Sequence, residues 1–354
     1  MSAADGNLPF DAAELRQLFA AFLDHTGIVL AVSGGPDSTA LMLLARAWRY
    51  GLLDGPSFLV ATVDHGLRPE SRAEALKVAA LCANLGLRHE ILTWDGEKPR
   101  SRIQEAARIA RYRLLTQLAR ERGATAIALA HTMDDQAETV LLRLARGSGL
   151  TGLCAMRPIS RTGELTLLRP FLDTPKSRLV AVVEGAGIDY VRDPSNADPR
   201  FARPRLRNLA PGLAQVGLDA ARLALFAQRL SRAEAALNAV AEDARRSVSE
   251  GPWTEDEVNL KVAPFLELPE EISLRLLIQA IDQCATEGPT ELGKAEDLHQ
   301  ALRSAGTGGM ALRRTLAGAL VTLRKGRIAI TPAPPRGEGG QRRARSVAAN
   351  SPGD

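Results

Sequence analysis

An apolar, β-branched run that ends in two adjacent glycines constrains the fold of this chain more than any other segment. Residues 28–38 read IVLAVSGGPDS, and a helix-forming stretch begins directly afterwards at Thr39. This order is typical of a buried strand that passes through a tight turn into a helix. The first amides of such a helix are unpaired, and the helix dipole favours an anion beside them. We therefore predict that residues 33–38 bind phosphate.

Two common phosphate loops do not fit this turn. A Walker A loop needs four residues between its glycines and then a lysine, whereas the glycines here are adjacent and no lysine follows. The GxGxxG pattern of a dinucleotide site is also missing. SGGPDS instead resembles the SGGxDS pyrophosphate loop of the N-type ATP pyrophosphatases, which split ATP into AMP and pyrophosphate. The alternative is an ordinary strand-to-helix turn, in which the glycines only allow the backbone conformation and no ligand binds.

Composition limits the classes of protein to which this chain can belong. The 354 residues suffice for two or three domains, and 45% hydrophobic with 24% charged residues is ordinary for a soluble globular protein. No apolar run approaches the length that spans a bilayer, and the first residues lack a signal-peptide core. Cys82, Cys154 and Cys284 are isolated, so neither a disulfide framework nor a CxxC motif is available. We predict a cytoplasmic protein, whose net charge of +4 permits nucleic-acid binding without requiring it.

The first two hundred residues alternate between strand and helix patterns. Strands are predicted at 28–33, 57–64, 88–94, 124–130 and 165–169, with helices at 38–50, 70–85, 102–122, 133–145 and 175–186. Such alternation predicts an α/β fold with a mostly parallel, doubly wound sheet. Ligands of these sheets bind at the carboxyl ends of strands, where residues 33–38, 64–66 and 131–138 follow the first, second and fourth strands. We expect these three polar clusters to meet at one edge of the sheet.

The cluster after the fourth strand, HTMDDQAET at 131–139, carries three acidic residues. Asp134 and Asp135 open a helix, where carboxylates cap the amides and complement the dipole. Asp135 and Glu138 are three residues apart and so share one helical face. Facing a nucleotide, such a pair is suited to magnesium, or alternatively to the ammonium groups of an amine substrate. The residues alone leave both uses open.

Two further segments are candidates for nucleotide contacts. Asp64 and His65 begin DHGLR, which we interpret as a loop close to the nucleotide, although a lone histidine is more often structural. Arg146 and Gly147 begin RGSG, a flexible cationic turn suited to closing on a phosphate.

Several motifs in order carry a closer resemblance. SGGPDS, VDHGLRPES, ARIARYRLL, AHTMDDQAETVLLRLARGSG, LLRP and RDPSNADPRFARPRLR together resemble the tRNA(Ile)-lysidine synthetases over residues 25–213. Members of that family have an adenine nucleotide α-hydrolase-like PP-loop domain. They use ATP to join free L-lysine to the wobble cytidine of the CAU-anticodon tRNA(Ile), through an adenylated cytidine. The tRNA then reads AUA instead of AUG.

The resemblance implies a role for each matching residue. It assigns the ATP phosphates to Ser33, Gly34, Gly35, Pro36, Asp37 and Ser38, with Asp64, His65, Arg146 and Gly147 also near the nucleotide. Asp37 is expected at Mg²⁺ and in catalysis. Arg111, Asp135 and Glu138 match positions that recognise lysine and support the chemistry. Substrate or tRNA contacts are expected at Asp134, Arg203, Arg205 and Arg207.

One residue departs from the family pattern. The family usually has Asn where this chain has Pro204, within a segment that combines turn signals with several arginines. Proline lacks a backbone donor and fixes its φ angle, so the local shape should differ from the usual one. The arginines are suited to the phosphates of a nucleic acid. A solvated basic loop is the alternative.

Beyond this segment the character of the sequence changes. We predict a catalytic domain at 1–215, a mainly helical domain with a small β element at 216–332, and a disordered tail at 333–354. Helices are expected at 217–249, 269–286 and 291–304, followed by a hairpin that turns at Lys325-Gly326. Docking of tRNA is our hypothesis for the second domain. The sequence leaves a homodimer open.

Three other classes of protein share parts of this pattern. A tRNA thiolase has the same phosphate loop but normally needs paired cysteines, and it is our second choice. An ATP-dependent amide synthetase would bring a glutaminase domain, which we do not find. A nucleotide- or RNA-binding module without activity would not require Asp37, Asp135 and Glu138 together.

Overall fold

A computed structural model of the protein describes residues 10–96, 98, 99, 101, 103–191 and 202–334. The chain divides into two compact units, Met1–Leu230 and Ser231–Asp354. The predicted domain boundary after residue 215 remains a prediction. Apart from its first two residues, the predicted tail lies outside the described residues, as does Arg200 of the basic segment.

The helices and strands of the first unit follow the predicted alternation. In chain order they are α1 (Ala12–Leu18), a 3-10 helix (Ala20–Asp24), β1 (Gly27–Ala31), α2 (Pro36–Tyr50), β2 (Ser57–Asp64), α3 (Ser71–Asn84), β3 (His89–Thr93), α4 (Ile103–Glu121), β4 (Ala126–Ala128), α5 (Met133–Ala145), α6 (Leu150–Leu153), β5 (Ile159–Thr162), β6 (Leu165–Leu168), α7 (Lys176–Gly185), α8 (Ala202–Gln215) and α9 (Ala220–Val248), which continues into the second unit.

The strands form one six-stranded sheet in the order β3-β2-β1-β4-β6-β5. All neighbouring pairs are parallel except β5 with β6, which is antiparallel. The mostly parallel sheet that the sequence predicts is therefore confirmed. Since β2, β1 and β4 are neighbours, the three polar clusters leave the sheet side by side at its carboxyl edge.

Alternation along β1 sends its side chains to two buried layers. Ile28 and Leu30 pack in one cluster with residues of α2 and α7, including Leu41 and Leu179. Val29 faces the opposite cluster, to which α4 contributes its buried residues. Burial on both faces explains why this strand reads as a continuous apolar run. The first strand is thus fixed firmly beneath the turn that follows it.

Helix α8 differs from the expectation of a turn-rich basic loop. Pro204 is buried in the first turn of this helix. A proline fits there because the first amides of a helix have no intrahelical acceptor. The residue that departs from the family pattern is therefore compatible with a helix, and Arg203, Arg205 and Arg207 lie on it.

The second unit combines helices with a sheet larger than the predicted hairpin. Its elements after α9 are β7 (Val258–Lys261), α10 (Val262–Glu267), α11 (Glu270–Cys284), α12 (Leu292–Thr307), β8 (Leu312–Leu316), β9 (Ala319–Arg324) and β10 (Arg327–Pro332). The strands form an antiparallel sheet in the order β7-β10-β9-β8. The predicted turn joins β9 to β10, with φ of +50° at Lys325 and +76° at Gly326. Among the described residues, no helix is long and apolar enough to cross a membrane.

Candidate active site

The turn between β1 and α2 has the geometry of a phosphate loop. Gly34 has φ +83°, and a Cβ built on it would lie 3.1 Å from Val78 Cγ2 and 3.2 Å from Val191 Cγ2. Both the left-handed backbone and the lack of space require glycine. Gly35 is the N-cap of α2 and Pro36 its first residue. The amides of Asp37 and Ser38, which have no intrahelical acceptor, are thus available to a ligand.

Two serines brace the turn internally. The Ser38 hydroxyl lies 3.1 Å from the Ser33 amide nitrogen, which donates to it, and it donates to the Gly35 carbonyl at 3.1 Å. The two serine hydroxyls are 3.2 Å apart. This bracing uses the Ser33 amide and leaves the amides at the start of α2 to a ligand.

The loop opens into a cavity of about 760 Å³ at the carboxyl edge of the sheet. The functional side chains on its wall come from six segments of the first unit. They are Ser33, Asp37, Ser38, His65, Arg111, His131, Lys176 and Arg207. The cavity has room for a nucleotide, and its wall combines two carboxylates, Asp37 and Glu74, with several cations.

Asp37 forms an ion pair in this cavity that the sequence did not predict. Lys176 Nζ donates to Asp37 Oδ2, while Asp37 Oδ1 is buried without a hydrogen-bond partner. Burial raises the pKa of Asp37, Lys176 opposes that rise, and the charges of Asp135 and Asp134 add to it. A signal did exist in the sequence, because a lysine at the first position of a helix opposes the helix dipole and needs an anion nearby.

The two aspartates that open α5 hold backbone in place. Asp135 Oδ2 accepts a hydrogen bond of 2.9 Å from the Thr132 amide and completes a capping box. Asp134 Oδ2 accepts one of 2.8 Å from the Lys176 amide, so α5 is tied to the start of α7. The structure thus gives Asp134 a contact within the protein, and its predicted contact with substrate stays a prediction.

Glu138 is a buried carboxylate, 7% exposed, that faces arginines of α8. Arg207 donates to both of its oxygens, from Nε at 2.5 Å and from Nη2 at 3.3 Å, and Arg203 Nε lies 3.9 Å away. Burial raises the pKa of Glu138, and the hydrogen bonds from Arg207 oppose the rise. Arg207 thus pairs with Glu138 as the ammonium group of a substrate would.

Three nitrogen-bearing side chains on the cavity wall have a buried nitrogen without a hydrogen-bond partner. These atoms are His65 Nδ1, Arg111 Nε and His131 Nδ1. Burial lowers the pKa of His65 and of Arg111, and lowers that of His131 to about 3. Both histidines are therefore neutral at physiological pH, and Arg111 is the positively charged group of these three.

Other predicted site residues lie off the cavity wall. Asp64 Oδ1 accepts from the Gly66 amide at 3.0 Å and from the Ser71 hydroxyl at 2.6 Å, so it shapes the loop after β2. Arg146 and Gly147 are exposed at the end of α5. Arg205 is exposed on α8. Their predicted contacts with nucleotide and tRNA stay predictions.

The comparisons with known proteins agree with this geometry. The PP-loop domain family matches residues 9–213. A tRNA(Ile)-lysidine synthase from Bradyrhizobium sp. strain BTAi1 is 51% identical, covering 96% of this chain and 99% of that protein. Another from Methylobacterium sp. strain 4-46 is 54% identical, with 88% and 90% covered. The solved U34-tRNA thiolase NcsA from Methanococcus maripaludis, with its [4Fe-4S] cluster, is 16% identical over 62% of this chain and 77% of that chain, at a TM-score of 0.53, which supports the fold alone.

Proposed function

Since the chain belongs to the tRNA(Ile)-lysidine synthase family and carries a PP-loop domain, we propose that it uses ATP to join free L-lysine to the wobble cytidine of the CAU-anticodon tRNA(Ile). The observation that carries this proposal is the phosphate loop, where Gly34 has neither the backbone angle nor the space for a side chain. Its helix amides and Asp37 open into a single cavity. The name of the relatives favours lysine ligation over tRNA thiolation.

The reaction has two bond-forming steps. The carbonyl oxygen O2 on C2 of the cytosine attacks the α-phosphorus of ATP, and pyrophosphate leaves with the electron pair of the broken P–O bond. The side-chain amine of lysine then attacks C2, and the C2–O2 bond breaks as AMP departs. Only a neutral amine is a nucleophile, so a base must first take a proton from the lysine ammonium.

Glu138 is the base that the site favours. Its raised pKa makes it a stronger proton acceptor than an exposed carboxylate. The charge of Asp135 adds to the raised pKa of Glu138, and the two residues are three apart on one face of α5. Arg111, with its buried nitrogen, is suited to the carboxylate of the amino acid. Arg207 must release Glu138 before lysine binds there.

Asp37 fits a magnesium ion. Its Oδ1 is a buried carboxylate oxygen without a hydrogen-bond partner, beside the amides that would hold phosphate. Magnesium usually takes one or two protein carboxylates together with phosphates and water. When bound, it neutralises charge on the departing pyrophosphate. The helix amides of the phosphate loop act on the same charge.

The tRNA contacts are assigned to the arginines of α8 and to the region 216–332. Arg203, Arg205 and Arg207 lie on α8, and Arg207 lines the catalytic cavity. Their positive charges suit the phosphates of a nucleic acid. The activity belongs in the cytoplasm, where ATP, lysine and tRNA occur together.

The test measures AMP release by the purified protein with lysine and a tRNA(Ile) transcript each present or omitted. We expect AMP only when both are present, and radiolabelled lysine on the tRNA. AMP release that requires tRNA but not lysine would mean that the nucleophile is sulfur or an amine other than lysine. No turnover with any tRNA would overturn the proposal. A transcript with a GAU anticodon is the matched substrate control, because it lacks the wobble cytidine.

A further inference from the structure

The phosphate loop has no lysine of its own, and the structure supplies one from another element. Lys176 is the first residue of α7, and its side chain lines the same cavity as Ser33, Gly35 and Ser38. Its Nζ donates to Asp37 Oδ2. The ammonium group is therefore held at the phosphate loop by the residue that a divalent cation would take.

The backbone of Lys176 is fixed from the start of α5. Asp134 Oδ2 accepts from the Lys176 amide at 2.8 Å, and the Met133 amide donates to the Thr174 carbonyl at 3.0 Å. Thr174 itself is buried. The Lys176 side chain, in contrast, is 43% exposed. The side chain can thus change partner while its Cα stays in place.

Charge decides what the new partner must be. A cation on Asp37 removes the anion that now compensates Lys176, and the helix dipole of α7 disfavours a positive charge at that position. A phosphate group restores the balance, because one ammonium pairs with one phosphate oxygen while the cation holds the carboxylate. Lysine is a common phosphate ligand of this kind.

We propose that Lys176 is a positioning residue for the β- and γ-phosphates of ATP, and that it exchanges Asp37 for these phosphates when the nucleotide enters with its divalent cation. Asp134 contributes by fixing the amide from which Lys176 extends. The inference rests on the proposed function, since it assumes that the cavity binds ATP. It adds a phosphate ligand from α7, outside residues 33–38.

The test compares affinities for ATP and AMP in the presence of Mg²⁺, by calorimetry on the full-length protein. Lys176→Met removes the charge and keeps the length. We expect about 10- to 100-fold weaker ATP binding, the range for a lost charge-assisted hydrogen bond, and AMP binding within about 2-fold of wild type. Lys176→Arg should recover most of the ATP affinity. Lys77→Met, at an exposed position of α3, is the matched control and should change neither.

Steady-state kinetics give a second readout. We expect Lys176→Met to raise KM for ATP and leave KM for lysine unchanged, and Asp134→Ala to raise KM for ATP by less. Equal weakening of ATP and AMP, or unchanged ATP binding, would overturn the inference while the proposed function stands. A wild-type protein that binds no ATP would overturn both. If the methionine variant does not fold, Lys176→Gln carries the same expectation.

Discussion

Two buried charged side chains, one in each unit of this protein, have very different surroundings. In the first unit, Asp37 keeps one buried oxygen without a hydrogen bond. In the second, Arg275 of α11 is paired on several sides, with Glu234 at 2.8 Å, Glu271 at 2.7 Å and Asn238 at 2.9 Å. Unpaired buried groups cost stability, whereas satisfied networks rigidify the structure. The contrast indicates that Asp37 gives up stability for binding, whereas Arg275 uses its charge to hold α9 and α11 together.

Replacing Asp37 tests the binding half of this contrast most strongly. Asp37→Asn keeps the shape and removes the charge, so we expect AMP formation to fall by about 10²–10³-fold, as when one preorganised electrostatic group is lost. The free energy of unfolding should stay the same or rise, because a buried charge is relieved. AMP release and urea unfolding measure the two effects. Asp54→Asn, at an exposed position, is the control. A variant that keeps its activity but has a lower free energy of unfolding would mean that Asp37 serves stability and not binding.

Replacing Arg275 tests the structural half. Arg275→Met leaves Glu234 buried without its ion-pair partner, and we expect a loss of about 3–5 kcal/mol in the free energy of unfolding. Arg246→Met removes an exposed ion pair with Asp243 on α9, and should cost no more than about 1 kcal/mol. Urea unfolding compares the two variants. Similar losses for both would show that burial does not strengthen the Arg275 network.

Alanine at Gly34 separates backbone strain from lack of space. Gly34→Ala and Gly86→Ala both place a Cβ on left-handed backbone, at φ +83° and +67°, which costs about 1–2 kcal/mol. Only at Gly34 does the Cβ meet neighbours, the side chains of Val78 and Val191, so overpacking adds about 1–3 kcal/mol. We expect ATP affinity to fall for Gly34→Ala alone. Equal unfolding free energies would mean that the valines move aside.

The smallest effect concerns pH and His131. Burial holds the pKa of His131 at about 3, below the ordinary 6.5, so between these values the unfolded chain carries one more proton at this residue. The free energy of unfolding should therefore fall as pH drops below 6.5, by up to about 1.4 kcal/mol per pH unit for this group. His131→Gln should flatten the profile between pH 6.5 and 5 by that amount. An unchanged profile would mean that His131 is charged in the folded protein.

Much of the first unit could be predicted because its information is local. The apolar run before Gly34 predicts β1, and its adjacent glycines predict the phosphate loop. The second, first and fourth strands are neighbours in the sheet, as the convergence of their polar clusters requires. Short-range patterns thus suffice where a strand is buried on both faces and the turn after it carries glycine, as at β1.

The errors and omissions arise where partners are distant or patterns are weak. Lys176 lies far from Asp37 along the chain, and its place at the start of a helix indicates only that some anion is near, without identifying Asp37. Strand β8 exposes Arg313, Arg314 and Thr315 in succession, which hides the alternation of a strand. Pro204 and the arginines around it predict a turn-rich segment, whereas the structure forms helix α8 there. In each case the tertiary environment decided the structure.

The separation of Lys176 from Asp37 also has a consequence during protein synthesis. The two residues are 139 positions apart. At about 5–20 residues per second, the ribosome needs roughly 7–30 s to add the lysine after the aspartate. Throughout that interval the growing chain carries a phosphate loop without its ammonium group. A truncated product that ends within this stretch therefore has an incomplete nucleotide site, which gains its ammonium group only when the start of α7 has been translated.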